Sequence, residues 1–152
     1  MMIQRIQTVY LLVVAALSTL LLMIPLADLF GPKTPFFYYA IGINDAATGA
    51  SVYSTLPLFV LLIVTILLSI LTIFQFKKRN LQIRLANING ALLLVFYALF
   101  FIYFLLIKDT LTVTLSLRFV FVFPFISFIM NWLAISSIKA DEALVKSLER
   151  IR

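Results

Sequence analysis

Side chains that could carry out chemistry are sparse in this sequence. Cysteine and histidine are absent, which removes thiolate catalysis, cysteine-based metal sites and the usual acid or base of neutral pH. The acidic residues are scattered, at Asp28, Asp45, Asp109, Asp141, Glu142 and Glu149. None of them falls deep inside the long apolar stretches, where proton relays and ion paths need charged groups. We therefore expect no catalytic residue, no metal ligand and no cofactor, and a role that is not enzymatic.

Asn131 is the best candidate for a specific contact between buried segments. It lies in an apolar stretch at a depth similar to that of Ser69 and Thr72 in another stretch, and Thr65, Ser69 and Thr72 recur at a spacing that places them on one helix face. Side-chain hydrogen bonds between membrane helices contribute about 0.6–2 kcal/mol. We expect Asn131 to bond Ser69 or Thr72 and to hold the helices together.

A second set of polar residues lies at the predicted ends of the apolar segments, and we interpret it as a candidate interaction surface. Its members are Arg5, Gln82, Arg84, Asn87, Asn89, Asp141 and Glu142. Such groups can form charge-assisted hydrogen bonds where segments meet. Two interpretations stay open, because the cluster could dock a partner or could only lock the helices together.

The elements that carry these residues must be membrane helices. Hydrophobic residues make up 64% of the chain and charged residues only 12%, with a mean hydropathy of +1.15. A core of water-soluble size could not hide so many apolar side chains. The formal charge of +6 comes from cations beside the predicted membrane ends, so anionic lipid headgroups are the expected counter-charge and nucleic acid is not.

Apolar segments predict four membrane spans, at about residues 3–27, 56–76, 85–107 and 118–138. The predicted fold class is an all-α membrane protein, a four-transmembrane-helix bundle in a single domain covering residues 1–152. The expected connections are outer loops at 28–55 and 108–117, an inner loop at 77–84 and an inner tail at 139–152. Helical spacing in the tail predicts that it continues the fourth helix.

Basic residues set the expected orientation. The short loop at 77–84 carries Lys77, Lys78, Arg79 and Arg84 without an acidic residue, and Lys and Arg in short loops stay on the cytoplasmic side. Both termini are then cytoplasmic in a multi-pass protein of the cell inner membrane. Arg118, at the opposite boundary, is expected to act as an interfacial anchor.

The outer loops are expected to contain a small extracytoplasmic β element. Residues 38–43 favour strands, and residues 110–117 alternate polar and apolar with the two-residue period of a strand. Because unpaired backbone groups are costly, we expect the two loops to pair as a sheet over the helix ends. Pro124 should kink the fourth helix or end a first turn.

Three stretches together resemble one known family. They are MIQRIQTVY at 2–10, LQIRLANIN at 81–89 and ADEALVKS at 140–147. In combination they are similar to an uncharacterised family of four-transmembrane-helix proteins, a domain of unknown function of Bacteroidota. The resemblance covers the full chain. It implies the four-helix architecture and no established activity.

Two functions fit this sequence. The first is an accessory or scaffolding subunit of a larger inner-membrane protein complex that acts in envelope biogenesis or protein export. The alternative is a small-molecule or lipid transporter, or a lipid-binding membrane protein, that uses a Phe-rich region in the outer halves of the third and fourth spans. This region comprises Phe101, Phe104, Phe119, Phe121, Phe123 and Phe125. Membrane lipids and other inner-membrane proteins are the expected partners.

Overall fold

The computed structural model describes residues 2–152, with side chains from Arg5 onward. Within this part of the chain, four helices are long and apolar enough to cross a membrane. Their bounds are α1 Met2–Met23, α2 Leu56–Phe74, α3 Arg79–Leu111 and α4 Phe123–Ile151. Helix α1 packs against α2 and α4, and α3 packs against the same two helices. The predicted four-helix architecture is therefore confirmed.

Helix boundaries follow the prolines. Helix α1 ends at Met23, two residues before Pro25, so the predicted first span is too long and Ala27 already belongs to a strand. Pro57 and Pro124 lie in the first turns of α2 and α4, where an N–H would be unpaired in any case. A 3₁₀ turn, Phe119–Val122, precedes α4.

Two helices extend beyond their predicted spans. Helix α3 begins at Arg79, within the predicted inner loop, and ends at Leu111, so the turn from α2 is very short. Helix α4 continues without interruption to Ile151, as the pattern of the tail predicted.

In the described part of the chain, five short strands form one antiparallel sheet in the order β4-β3-β2-β1-β5. They are β1 Ala27–Phe30, β2 Pro35–Tyr38, β3 Gly42–Asp45, β4 Ser51–Ser54 and β5 Thr114–Leu117. The register places Ala27 between Tyr38 of β2 and Leu117 of β5. Strand β1 thus joins the two predicted loops, and the expected pairing between them is confirmed.

The strand limits differ from the prediction. Residues 39–41 form a turn between β2 and β3, closed by a hydrogen bond from the Tyr39 N–H to the Gly42 carbonyl. Residues 110–111 belong to α3, which ends where Thr112 adopts a left-handed conformation with φ of 49°. Only the last four residues of the alternating segment pair with β1, because the helix extends into its first half.

The sheet lies over one end of the bundle. Every connection between a helix and a strand is at this end, which we call the sheet end, and the opposite end carries the α2–α3 turn and both termini. We call that opposite end the termini end. Large side chains from both layers form the core at the sheet end, including Leu29, Tyr38 and Ile43 from the strands and Phe96 and Phe100 from α3.

Candidate interaction surface at the termini end

The predicted interaction surface is only partly a surface. Arg5, Arg84 and Asn87 are exposed at the termini end, as expected. Gln82 and Asn89 are buried instead, with 3% and 0% of their surface accessible. The sequence interpretation was wrong for these two amides, because the faces of α3 that carry them turn toward α2 rather than toward solvent.

Both buried amides bind α2. The Gln82 Nε2 donates to the Thr72 carbonyl at 3.1 Å, and the Asn89 Nδ2 donates to the Ser69 hydroxyl at 2.9 Å. The Ser69 hydroxyl in turn donates to the Thr65 carbonyl at 2.9 Å. The polar face predicted for α2 is therefore buried, and its partner is α3.

Asn131 has a different partner from the expected one. Its Nδ2 donates to the Ala86 carbonyl of α3 at 2.7 Å, not to Ser69 or Thr72 of α2. A Cβ at Gly90, one turn along α3, would lie 3.0 Å from the same nitrogen. Asn131 is still an interhelical contact, but it joins α4 to α3 and uses the space that Gly90 leaves.

Residues 139–151 continue α4 beyond the predicted fourth span, and we call them the α4 extension. An ion pair fixes the start of this extension. The Arg79 Nη2 lies 2.9 Å from the Asp141 Oδ2, and the Arg79 Nη1 is 3.5 Å from the Asp141 carbonyl. Glu142 pairs with Lys146 one turn later at 2.8 Å. Arg79, which begins α3, was singled out from the sequence only as a cation that sets the orientation and not as a member of the candidate interaction surface. Asp141 therefore makes a contact within the fold, whereas Arg84 remains exposed.

Gln7 is another residue that sequence reasoning missed. It is only 5% exposed, and its Nε2 has no hydrogen-bond partner among the described residues. Helical spacing could have found it, because Gln7, Leu11, Val14, Ser18 and Leu21 are all buried and recur every three or four residues.

At the sheet end, aromatic residues are tightly packed. Tyr38 stacks on Phe100 with ring centroids 4.5 Å apart and donates its hydroxyl to the Phe100 carbonyl at 3.3 Å. Burial, with smaller contributions from Tyr103 and Tyr53, raises the pKa of Tyr38 above its usual range, so its hydroxyl remains a donor. Phe121 packs between Phe100 and Tyr97, at centroid distances of 4.6 and 4.9 Å.

The Phe-rich region is divided between core and surface. Phe104, Phe121 and Phe123 pack against the core. Phe101, Phe119 and Phe125 are exposed on the outside of the bundle. The structure does not bring the six rings together around one space.

Arg118, which the sequence predicts as an interfacial anchor, also makes a specific ion pair. Its Nε donates to the two Asp28 carboxylate oxygens at 3.0 and 2.9 Å, and its Nη2 lies 2.8 Å from Oδ1. The guanidinium lies over the Phe37 ring, 5.3 Å from its centroid. The hydrogen bond to Asp28 raises the pKa of Arg118. This contact ties β1 to the residue that follows β5.

The fold and these contacts define a class: a four-helix bundle with the length and apolarity to cross a membrane, a small sheet at one end and a polar, basic opposite end. The chain belongs to the family described as a domain of unknown function, DUF4293, which matches residues 3–151. The resemblance to an uncharacterised family is confirmed. No curated protein matches the chain.

Proposed function

We propose that this protein is a non-enzymatic, multi-pass protein of the cell inner membrane and an accessory or scaffolding subunit of a larger membrane complex. Large apolar side chains are exposed along the outside of every helix, as contact with lipid requires. Three of the twelve Lys and Arg residues lie near the sheet end, and the others lie toward the termini end. This bias supports a cytoplasmic termini end.

The α4 extension is the observation that carries the proposed docking role. Helix α4 has 29 residues, which at a rise of about 1.5 Å each exceeds the roughly 30 Å of a hydrocarbon core. Its last turns expose Leu144, Leu148 and Ile151, with 52%, 65% and 83% of their surface accessible. These three residues share one helix face at spacings of four and three.

A protein partner fits this extension better than the bilayer surface does. Between Phe125 and Ile151 the sequence has neither glycine nor proline, so nothing in it would bend the helix into the plane of the membrane. A helix that leaves the membrane along its own axis presents its apolar face to water. Arg150 and Arg152 flank Ile151 in the sequence, and a complementary partner offers an apolar groove with acidic side chains near that end.

The test is the native mass of the complex in mild detergent. We expect the wild-type chain to migrate with a stoichiometric protein partner, and a variant with Leu144, Leu148 and Ile151 all replaced by Ala to migrate alone. Glu149→Ala is the control, because Glu149 is also exposed but lies neither three nor four residues from Leu144, Leu148 or Ile151 and is therefore on another face. Thermal stability of all three proteins should be the same. A wild-type chain that migrates alone, or a triple variant that keeps its partner, would contradict the proposal.

A further inference from the structure

A cleft of about 520 Å³ opens at the termini end between α1 and the end of α2. Three apolar side chains from α2 and the turn after it, Ile73, Phe74 and Phe76, form one wall. Arg5 and Gln7 of α1 and Gln82 of α3 supply polar groups. The cleft thus combines a long apolar wall with a small polar corner.

Gln7 and Gln82 differ in a way that points to a ligand. Both are almost fully buried, but the Gln82 amide donates to the Thr72 carbonyl at 3.1 Å. The Gln7 Nε2 has no partner in the described part of the chain. A buried amide donor without a partner is costly. A ligand in this cleft would supply the missing acceptor when the Gln7 amide, closed to solvent in this structure, turns toward it.

Charge narrows the chemistry of that ligand. Among the described residues that line the cleft, Arg5 is the only ionisable one, so no carboxylate competes for its guanidinium there. Arg5 is exposed and lies near the start of α1, before the long apolar run of that helix. This position is the expected level of the lipid headgroups. The group that fits is an anion joined to an apolar chain.

We propose that the cleft binds one anionic phospholipid. Its phosphate accepts hydrogen bonds from the Arg5 guanidinium and the Gln7 amide, and its acyl chain lies along Ile73, Phe74 and Phe76. This site is independent of the α4 extension, because none of its residues belongs to α4.

Native mass spectrometry of the full-length chain in a non-ionic detergent tests this site. The probes are phosphatidylglycerol, phosphatidylcholine with the same acyl chains, and inorganic phosphate. We expect one phosphatidylglycerol to remain bound, phosphatidylcholine to bind at least about tenfold more weakly, and inorganic phosphate not to displace the lipid. Equal retention of the two lipids would overturn the proposal. Displacement by inorganic phosphate would overturn the lipid assignment in favour of a free anion.

Two variants and a control locate the site. Arg5→Gln and Gln7→Leu should each weaken phosphatidylglycerol binding about tenfold, since each removes a donor to a charged group. Arg84→Gln removes an exposed cation at the same end but outside the cleft, and should change binding by less than about twofold. An equal loss in Arg84→Gln and Arg5→Gln would show nonspecific attraction and overturn the site. Because Arg5 is exposed, Arg5→Gln should fold normally. It therefore tests the site even if Gln7→Leu does not fold.

Discussion

Buried polar side chains of the strands and loops at the sheet end have hydrogen-bond partners, whereas several of those in the helices do not. At the sheet end, the Tyr38 hydroxyl bonds the Phe100 carbonyl and the Thr55 hydroxyl bonds the Ala40 carbonyl at 2.8 Å. Every buried polar side-chain atom without a partner in the described part belongs instead to a helix. These atoms are Gln7 Nε2, Ser18 Oγ, Asn89 Oδ1, Ser127 Oγ and Asn131 Oδ1.

This difference indicates a division of roles. The buried hydroxyls of Tyr38 in β2 and of Thr55 between β4 and α2 have acceptors within the chain, and Phe100 stacks on Tyr38, as in a structural cap. Toward the termini end, Gln7 keeps an unused donor beside a cleft, and exposed cations such as Arg84 remain available. Substitutions at the sheet end should therefore change stability, whereas those at the exposed termini end should change binding.

The largest expected effect on stability is at Phe100. Phe100→Ala removes a fully buried ring that contacts Tyr38 and Phe121, and should lower the free energy of unfolding by about 3 kcal/mol. The value is near the low end for such changes because lipid already solvates apolar groups. Phe101→Ala is the matched control, because Phe101 is the next residue in the sequence and its side chain is 43% exposed. Denaturation in detergent measures the free energy of unfolding of both variants. Equal losses in the two variants would contradict a stabilising role for the packing at the sheet end.

A smaller effect is expected where Asn131 meets α3. Asn131→Ala should lower the free energy of unfolding by about 0.6–2 kcal/mol, because it removes the hydrogen bond to the Ala86 carbonyl. Gly90→Ala should cost about 1 kcal/mol, because its new methyl group crowds the Asn131 amide at 3.0 Å. When Asn131 is already Ala, adding Gly90→Ala should hardly change the free energy of unfolding, because the crowded amide is gone. Additive losses across this cycle would mean that the two positions are not coupled.

The smallest stability effects are expected at two partly exposed ion pairs, Arg118–Asp28 and Lys146–Glu142. Arg118→Gln breaks a two-oxygen contact with Asp28, but the Arg118 side chain is 38% exposed, so the loss should be about 1 kcal/mol or less. High salt should reduce the difference from wild type. Lys146→Gln, which breaks the more exposed pair with Glu142, should cost about half as much. A larger loss for Lys146→Gln would reverse the expected order of the two ends.

Some features could be predicted from the sequence because their signals are local. Apolar length predicted the four helices, and the spacing of Thr65, Ser69 and Thr72 predicted their common buried face. The strands were harder, because α3 extends into a segment with strand-like alternation and ends only at the left-handed Thr112. Partners such as Asn131 with Ala86, or Arg79 with Asp141, depend on how helices rotate against one another. No local pattern specifies that rotation.

The two ends can face different compartments only if the bundle crosses the membrane as proposed. The native chain has no cysteine, so single cysteines at Thr48 and Thr112 near the sheet end, and at Asn80 and Ser147 at the termini end, give an unambiguous label. All four positions are exposed.

An impermeant maleimide applied to cells, before and after the inner membrane is permeabilised, measures the side of each position. Cysteines at Thr48 and Thr112 should react before permeabilisation, and those at Asn80 and Ser147 should react only afterwards. Labelling of the cysteine at Asn80 from outside an intact inner membrane would contradict the proposed orientation.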